Sequence, residues 1–413
     1  MRGRHRSRTR PRPHARRGRC RGAAVLGVAG LLFGAYAPAA AQSHPTYWAY
    51  VANESSDLVS LVRFDGREVV EENAIPVGFH PADLDGAHGI TVSPTGQHWY
   101  VSIAHGQPYG QIWKMETGSD AFVDTATVGL FPATMSTTPD GASLFVVNFN
   151  LHGDPVPSSV SAVFAPFMSE VSKVETCVMP HGSRVSRDGR RHYSTCMMSD
   201  QLVETDVAEL SVSRRLVLTA GRERVLADDH AVDGHAASDR AMAGRAMGGA
   251  PGDGMFMSGM DMSAPGICKP TWVVLSPDDS RLYVPCNGRG DVLEIDGASL
   301  EVLRRSATGT GPYNADVTPD RSTLVVSLKG DQAVAIIDLA TGGETRVRTT
   351  QPVTHGVAVT PDGRYAFVSN EAVGATRGTV DVIDLAAGAV AASVALHYQP
   401  GGLGFWKMED GGR

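Results

Sequence analysis

Short runs of alternating hydrophobic and polar residues fill most of the chain, and turn-forming segments separate them. Residues 354–370, THGVAVTPDGRYAFVSN, show the unit: two runs containing Val, Tyr and Phe flank Pro361-Asp362-Gly363. Such side chains suit a pleated strand surface, while Pro-Asp-Gly fixes φ, offers an Asx-type hydrogen bond and tolerates a positive φ. The pattern therefore predicts a β-hairpin.

Six complete copies of this hairpin occur, and their turns begin at Pro94, Pro139, Arg187, Pro277, Pro319 and Pro361. Successive turns are 45, 48, 90, 42 and 42 residues apart, and the longest gap contains one repeat plus an insertion. This period, with four strands per repeat, predicts an all-β propeller. A seventh hairpin is split between Pro400–Phe405 and Tyr47–Asn53, whose pairing would close a ring of seven blades.

Residues 1–41 differ from the rest, because they contain ten Arg, no acidic residue, an apolar run and small residues before Gln42. This order predicts a signal peptide cleaved near Ala41 and a mature propeller over 42–413, periplasmic or secreted. Arg16-Arg17 leaves twin-arginine export open beside the general route. A membrane anchor is disfavoured because the apolar run is short, and no other stretch is apolar enough to span a bilayer.

Charge and cysteine content change once residues 1–41 are set aside. The mature chain has 27 basic residues against 44 acidic ones, which argues against nucleic acid as a partner and allows at most a peripheral contact with a membrane. The four remaining cysteines lie almost symmetrically about two hairpin turns, so we expect the bridges Cys177–Cys196 and Cys268–Cys286, each within one blade. Reduced cysteines that bind a soft metal are the alternative.

Several repeats also carry a family signature. Tyr50-Val-Ala-Asn53, Phe367-Val-Ser-Asn370, the recurring Ser/Thr-Pro-Asp and Val380-Asp-Val-Ile-Asp384 resemble the YVTN family of seven-bladed propellers over roughly the whole mature chain. The resemblance implies that each inner strand starts at the top face of the propeller and that the Pro-Asp-Gly turns lie at the bottom. It says little about function, because this fold serves binding, scaffolding and redox proteins alike.

Histidines recur at one position of the aligned repeats, six residues before the turn: His88, His181 and His355, each followed by Gly. Three imidazoles at the top of the axis could bind a borderline or soft transition metal, and glycine lets neighbouring backbones approach. Further top-face candidates are His105, His152 and Met197, and His80 and His397 lie in connections that reach this face. His98 and His192 follow bottom turns, where we expect solvated strands.

The insertion, residues 222–267 between blades four and five, shows no apolar periodicity and is predicted to be a flexible loop at the top face. Its final part is rich in methionine, and the strongest candidates are Met255, Met257, Met260 and Met262. This run resembles the methionine-rich segments of periplasmic copper-handling proteins, and thioethers suit Cu(I). The alternative is a low-complexity loop without function.

Signatures of conventional catalysis are missing: the chain has no nucleophile elbow, phosphate loop, dinucleotide fingerprint or Cys-x-x-Cys-His. We therefore expect no nucleotide and no c-type haem, and a hydrolase is the class least favoured. The sequence favours a monomeric, non-catalytic protein that binds copper, another soft metal or a small ligand at the top face. The alternatives are a scaffold for another envelope protein and a copper-dependent redox enzyme.

Overall fold

Antiparallel sheets make up the part of the chain that the computed structural model describes, residues 44–79, 83–227 and 266–410. Within these ranges 29 strands form seven sheets, and the helical content is one 3-10 turn at Glu54–Ser56. The seven-bladed propeller predicted from the repeat is confirmed. No helix in the described residues is long and apolar enough to cross a membrane.

Blades one to four follow one another along the chain. Blade one contains β1 (Thr46–Asn53), β2 (Leu58–Phe64), β3 (Val69–Pro76) and the C-terminal strand β29 (Pro400–Glu409). Blade two contains β4 (Ala87–Val92), β5 (His98–Ile103), β6 (Gln111–Glu116) and β7 (Phe122–Thr127). Blade three contains β8 (Pro132–Thr137), β9 (Ser143–Asn148), β10 (Pro157–Phe164) and β11 (Ser169–Val178). Blade four contains β12 (Pro180–Val185), β13 (Arg191–Cys196), β14 (Gln201–Asp206), β15 (Ser211–Val217) and β16 (Arg224–Ala227).

Blades five to seven complete the ring. Blade five contains β17 (Val274–Leu275), β18 (Arg281–Cys286), β19 (Asp291–Asp296) and β20 (Val302–Ala307). Blade six contains β21 (Pro312–Val317), β22 (Thr323–Leu328), β23 (Ala333–Asp338) and β24 (Glu344–Arg348). Blade seven contains β25 (Thr354–Val359), β26 (Tyr365–Asn370), β27 (Thr379–Asp384) and β28 (Ala389–Ala395).

The ring closes in blade one, where β29 pairs with β1 in antiparallel register from Tyr47 opposite Met408 to Asn53 opposite Pro400. The predicted pairing of the two chain ends is thus confirmed, and it extends beyond Phe405 to Glu409. The closure leaves the inner edge of blade one covered, which removes a site for edge-to-edge association.

The hydrophobic core consists of layers between neighbouring blades. Between blades one and two, the rings of Tyr50 and Trp99 stack at 4.7 Å, and Trp406 lies 5.6 Å from Tyr50. The Tyr50 hydroxyl donates to Asp120 at 2.9 Å, so this buried ring keeps a polar partner. Such inter-blade layers fix the angular position of each inner strand and therefore of its top residue.

A backbone irregularity explains how the inner strands present their top residues. Pairing of β4, β12 and β25 with the next strand skips in each case the two residues that contain the histidine and its glycine. The freed glycine N–H donates to a hydroxyl of the second strand, as Gly89 does to Ser102 at 2.7 Å and Gly356 does to Ser369 at 2.8 Å. A bulge of this kind turns a side chain out of the sheet and towards the axis.

Glycine is required at these bulges because the strands meet closely at the axis. A Cβ on Gly89 would lie 2.2 Å from the Ala133 carbonyl oxygen, and one on Gly356 would lie 2.6 Å from that of Gly401. The close approach predicted for the His-Gly pairs is therefore present. It brings the three axial histidines within reach of one another.

Both predicted disulfides are present. Cys268 and Cys286 join the segment before β17 to the end of β18 within blade five, as expected. The placement predicted for Cys177 within blade four is wrong, because Cys177 lies near the end of β11, the outer strand of blade three, and its bond to Cys196 joins two blades. The reason is that β11 runs to Val178, almost directly into β12, and sequence spacing cannot show that boundary.

The insertion differs from its prediction at its start. Residues 224–227 form β16, which pairs with β15 as a fifth strand of blade four instead of lying in a loop. The apolar Val225 and Leu226 and the open edge of β15 favour this pairing. The four candidate methionines of the insertion and His80 lie outside the described residues.

Candidate functional site

The three axial histidines meet at the top end of the channel, which is the end where the inner strands begin. The ring of His88 lies 6.3 Å from the rings of both His181 and His355. His181 and His355 are 1% and 4% exposed, whereas the His88 side chain keeps 12% exposure at the mouth. The sequence alignment thus identified true neighbours in space, and their hydrogen bonds decide what each can do.

Glu54 is the centre of the polar network at this mouth. It lies on the 3-10 turn after β1, and its carboxylate accepts from His88 Nδ1 and from His105 Nε2, both at 2.9 Å. Gln399 donates to the same carboxylate at 3.1 Å. One buried carboxylate therefore orients two imidazoles and leaves Nε2 of His88 without a hydrogen bond to any described residue.

The charges of this cluster shift its protonation equilibria. Burial opposes the ionised form of Glu54, but the charge of His88 and the hydrogen bonds from both imidazoles hold the carboxyl pKa well below its usual range. Burial likewise opposes charge on His105, yet the Glu54 carboxylate raises the imidazole pKa above its ordinary value. The contact between Glu54 and His105 therefore favours the ionised form of both groups, a carboxylate beside an imidazolium.

His181 is held as a neutral imidazole. Its Nδ1 donates to the Thr271 carbonyl oxygen at 2.8 Å, and its Nε2 accepts from the Tyr313 hydroxyl at 2.9 Å. Complete burial and the nearby His88 lower its pKa to about 3. Because both ring nitrogens are engaged, His181 would have to break a hydrogen bond before it could bind a ligand.

His355 has the opposite character, because its Nδ1 is buried without a hydrogen-bond partner among the described residues. Its Nε2 lies 3.5 Å from Glu371 Oε1, which accepts a bond from Lys329 Nζ at 2.9 Å. Burial, together with the Lys329 charge, lowers the His355 pKa well below its ordinary value. This neutral imidazole therefore has one uncommitted ring nitrogen, Nδ1, which is enclosed by the protein.

The remaining predicted residues are distributed as follows. His152 lies at the rim, with its ring 6.0 Å from that of His105. Met197 is buried in an apolar cluster with Phe131 and Phe149, next to the histidines but packed as a core residue. His397 lies on the connection between β28 and β29, and its Nε2 is 3.1 Å from Oε1 of Glu71.

One expectation about the bottom of the propeller is wrong. His192 was expected on a solvated strand, but it is fully buried, stacks on Phe145 at 4.9 Å and bonds the Ser183 hydroxyl at 2.9 Å. Its inner position between blades three and four is the reason, and burial lowers its pKa to about 3. His98 is partly exposed, as expected.

The hydrogen bonds of His181 count against the predicted three-histidine metal site, because both of its ring nitrogens are engaged. In the described ranges, no group of three or more His, Cys, Asp or Glu side chains is arranged to hold a metal ion. His88 and His355 each have one nitrogen near a carboxylate and one nitrogen free. An imidazole nitrogen binds a transition metal at about 2.0 Å, so two imidazoles on opposite sides of one ion have centroids roughly 6 Å apart. The rings of His88 and His355 have a separation of this size, 6.3 Å, and so do the rings of His88 and His181, but both nitrogens of His181 are engaged.

Sequence reasoning missed the charged residues of the mouth, although a signal was present. Glu54, Lys329 and Glu371 all follow directly the last residue of a second strand, in blades one, six and seven. An alignment of the second strands at their ends, in addition to the inner strands, would have placed all three on the top face. The sequence does not reveal which residues these three contact, because the contacts join different blades.

A cavity of about 250 Å³ lies in the channel. His88 and His355 line its upper part, and Arg184, Trp272 and Asp316 belong to its deeper wall. The mouth residues therefore face a space large enough for a small molecule as well as for an ion.

No family model matches this chain, and neither does any curated protein sequence. Solved propeller structures are similar. The periplasmic gluconolactonase of Pseudomonas aeruginosa superposes with a TM-score of 0.63 at 17% identity, over 88% of this chain and 99% of that one. A putative 6-phosphogluconolactonase from Bacteroides uniformis gives 0.59 at 14% identity, over 87% and 99%.

Hydrazine synthase of Kuenenia stuttgartiensis is similar with a TM-score of 0.53 at 20% identity, over 75% of this chain and 80% of that one. Identities this low establish the shared fold and nothing more specific. The seven-bladed propeller is supported by this structural similarity and by the order of strands in the seven sheets. The YVTN family remains a resemblance.

Proposed function

We propose that this protein is an exported binding protein whose ligand at the channel mouth is a soft metal ion, copper foremost. The observation that carries the proposal is the pair His88 and His355, which have rings 6.3 Å apart and one unused nitrogen each. Imidazole suits copper, and Cu(I), with its filled d shell, accepts a low coordination number. The two disulfides are consistent with export.

Carboxylates beside both histidines support the same conclusion. A metal-binding histidine usually gives its second ring nitrogen to a carboxylate or carbonyl, which fixes the ring and strengthens the ligand. Glu54 bonds His88 Nδ1 at 2.9 Å, and Glu371 lies 3.5 Å from His355 Nε2. Bound Cu(I) would offer electron transfer or delivery of the ion to an acceptor, and these residues would hold and orient the two ligands.

The methionine-rich segment has a separate part in this proposal, as a collector of Cu(I) through its thioethers. Its contribution can be removed by changing Met255, Met257, Met260 and Met262 to leucine. In this four-leucine background we expect one Cu(I) per chain in a competition titration against a Cu(I) chelator. Copper bound only by the unsubstituted chain would restrict binding to the segment and overturn the assignment to the channel mouth.

Hydrolysis of a small lactone is the second candidate, favoured by the bond between His88 and Glu54. A base whose second nitrogen is fixed by a buried carboxylate is a common arrangement for activating water. His88 Nε2 would take a proton from water as its oxygen attacks the lactone carbonyl, and the proton would then pass to the ring oxygen as the carbon–oxygen bond breaks. Two of the similar structures carry gluconolactonase names.

Metal-free protein assayed with gluconolactone separates the two candidates. If the lactonase reading holds, we expect turnover above the spontaneous rate, and His88→Asn should lower it by about 10²–10⁴-fold. The matched control is His98→Asn, which changes an imidazole on the far side of blade two and should leave the rate unchanged. Turnover that is absent, or equal in His88→Asn and wild type, would exclude this candidate.

A further inference from the structure

The deeper wall of the channel cavity carries a set of polar groups that the mouth does not use. Arg184 lies on β12, and Asn314 and Asp316 lie on β21, two residues apart. Trp272 lies two residues before β17, the inner strand of blade five. All four side chains line the cavity of about 250 Å³. Hydrogen-bond donors therefore come from blades four and five, and acceptors come from blade six.

Arg184 holds the positive charge of this wall. Its guanidinium lies 4.9 Å from the centre of the Trp272 ring, and its Nη1 donates to the Ser183 carbonyl oxygen at 2.9 Å. It forms no ion pair with any residue that the structure describes. A guanidinium has five N–H donors, so most of its donors and its charge remain available within the channel.

Asp316 holds the negative charge. Its carboxylate accepts from the backbone N–H of Val317 and of Val359, both at 2.9 Å, which fixes the group on the wall. An ionised carboxylate has about four acceptor positions, so half of them stay unused. Asp316 and Arg184 thus present opposite charges to the same cavity without neutralising each other by direct contact.

Two buried atoms of the other wall residues have no partner. Trp272 Nε1 and Asn314 Oδ1 make no hydrogen bond to any described residue, although the two residues are only 8% and 4% exposed. A buried polar group without a partner is costly and rare in folded proteins. Trp272 Nε1 is a donor on the ring that lies next to the Arg184 guanidinium. Asn314 Oδ1 is an acceptor on the same strand as Asp316.

We infer that the channel binds a small zwitterion with a carboxylate and an ammonium group, namely a small α-amino acid. The carboxylate accepts from Arg184 and from the Trp272 indole N–H, and the ammonium donates to Asp316 and to Asn314 Oδ1. A simple anion would leave Asp316 unpaired, and a simple amine would leave Arg184 unpaired. The cavity holds the volume of roughly eight water molecules, which suits an amino acid of about five to eight non-hydrogen atoms.

The inference does not rest on metal binding, so it is tested on metal-free protein by calorimetric titration. Glycine, alanine and serine are compared with acetate, which lacks the ammonium, and with methylamine, which lacks the carboxylate. Glycine betaine keeps both charges but has no N–H donor. We expect at least one of the three amino acids to bind about tenfold or more tightly than these analogues. Equal affinity for acetate would make the site a plain anion site, and no binding by any amino acid would overturn the proposal.

Variants of the wall locate the binding. Arg184→Met keeps the length of the side chain and removes its charge, and Trp272→Phe keeps an aromatic ring and removes the N–H. We expect losses of about 100-fold and about tenfold in affinity for the best amino acid. The control is Arg190→Met at the exposed bottom turn, which should bind as wild type does. Should Arg184→Met fail to fold, unchanged binding by Trp272→Phe and Asp316→Asn would still refute the site.

Discussion

Changing both cysteines of one bridge to alanine, Cys268 with Cys286 or Cys177 with Cys196, lowers the free energy of unfolding by about 3 kcal/mol. The bridges span 18 and 19 residues, and loops of this length lose that much conformational entropy in the unfolded chain when they are closed. All four cysteines are buried, so the loss of sulfur packing adds to the effect. Urea unfolding followed by tryptophan fluorescence measures the change.

Wild-type protein in reductant provides the matched control, because it keeps the sulfur atoms and loses only the covalent bonds. Its stability should fall towards that of a variant in which all four cysteines are changed to alanine, and that variant should not respond to reductant. The Cys177–Cys196 bond also joins blades three and four, so its loss should loosen the contact between them. A wild-type protein whose unfolding midpoint ignores reductant would contradict both bridges.

Glu54→Gln lowers the free energy of unfolding most strongly near pH 5.5, by about 2 kcal/mol. The folded-state pKa of Glu54 is depressed, so its contribution is present above its unfolded pKa of about 4.3 and is lost as the pH falls towards the depressed value. The His105 pKa is raised, so its contribution is complete below about 6.5 and is lost as the pH rises through the raised value. Both contributions are therefore present between about pH 4.3 and about pH 6.5.

The difference in unfolding free energy between wild type and Glu54→Gln should therefore shrink as the pH rises through the raised His105 pKa, because a neutral imidazole leaves only hydrogen bonding. Thermal or urea unfolding at pH 5.5, 7 and 9 gives the profile. Glu175→Gln, an exposed residue of β11, serves as the control and should show no such maximum. A constant difference at all three pH values would show that Glu54 stabilises by packing and not by its charge.

The hairpin repeat was enough to predict the ring. Pro-Asp-Gly turns fix hairpin register locally, and the alternation of apolar residues decides which face is buried, so neither depends on distant parts of the chain. Turn geometry follows the prediction in detail: Gly363 has a φ of 69°, and Asp362 accepts the Thr360 hydroxyl at 2.6 Å. The pairing of the two chain ends could also be predicted, because each terminal segment matches one half of the same hairpin repeat.

The site was only partly predictable, since it depends on contacts between blades. The repeat alignment placed His88, His181 and His355 on the axis, but it could not show that Tyr313 from another blade occupies His181 Nε2. Nor could it show that Glu54, after the first strand of the chain, orients His88. Ring closure creates these contacts, and a local pattern contains no information about which side chains will face each other across the channel.

The central claim is that His88 and His355 hold one Cu(I), and competition titration of the four-leucine background with and without His88→Ala plus His355→Ala tests it most directly. The control pair, His98→Ala plus His397→Ala, removes the same number of imidazoles elsewhere. We predict that the control keeps the wild-type affinity and that the channel variant loses more than the roughly 10–100-fold that a change beside a ligand costs. Equal affinity in the two double variants would contradict the account.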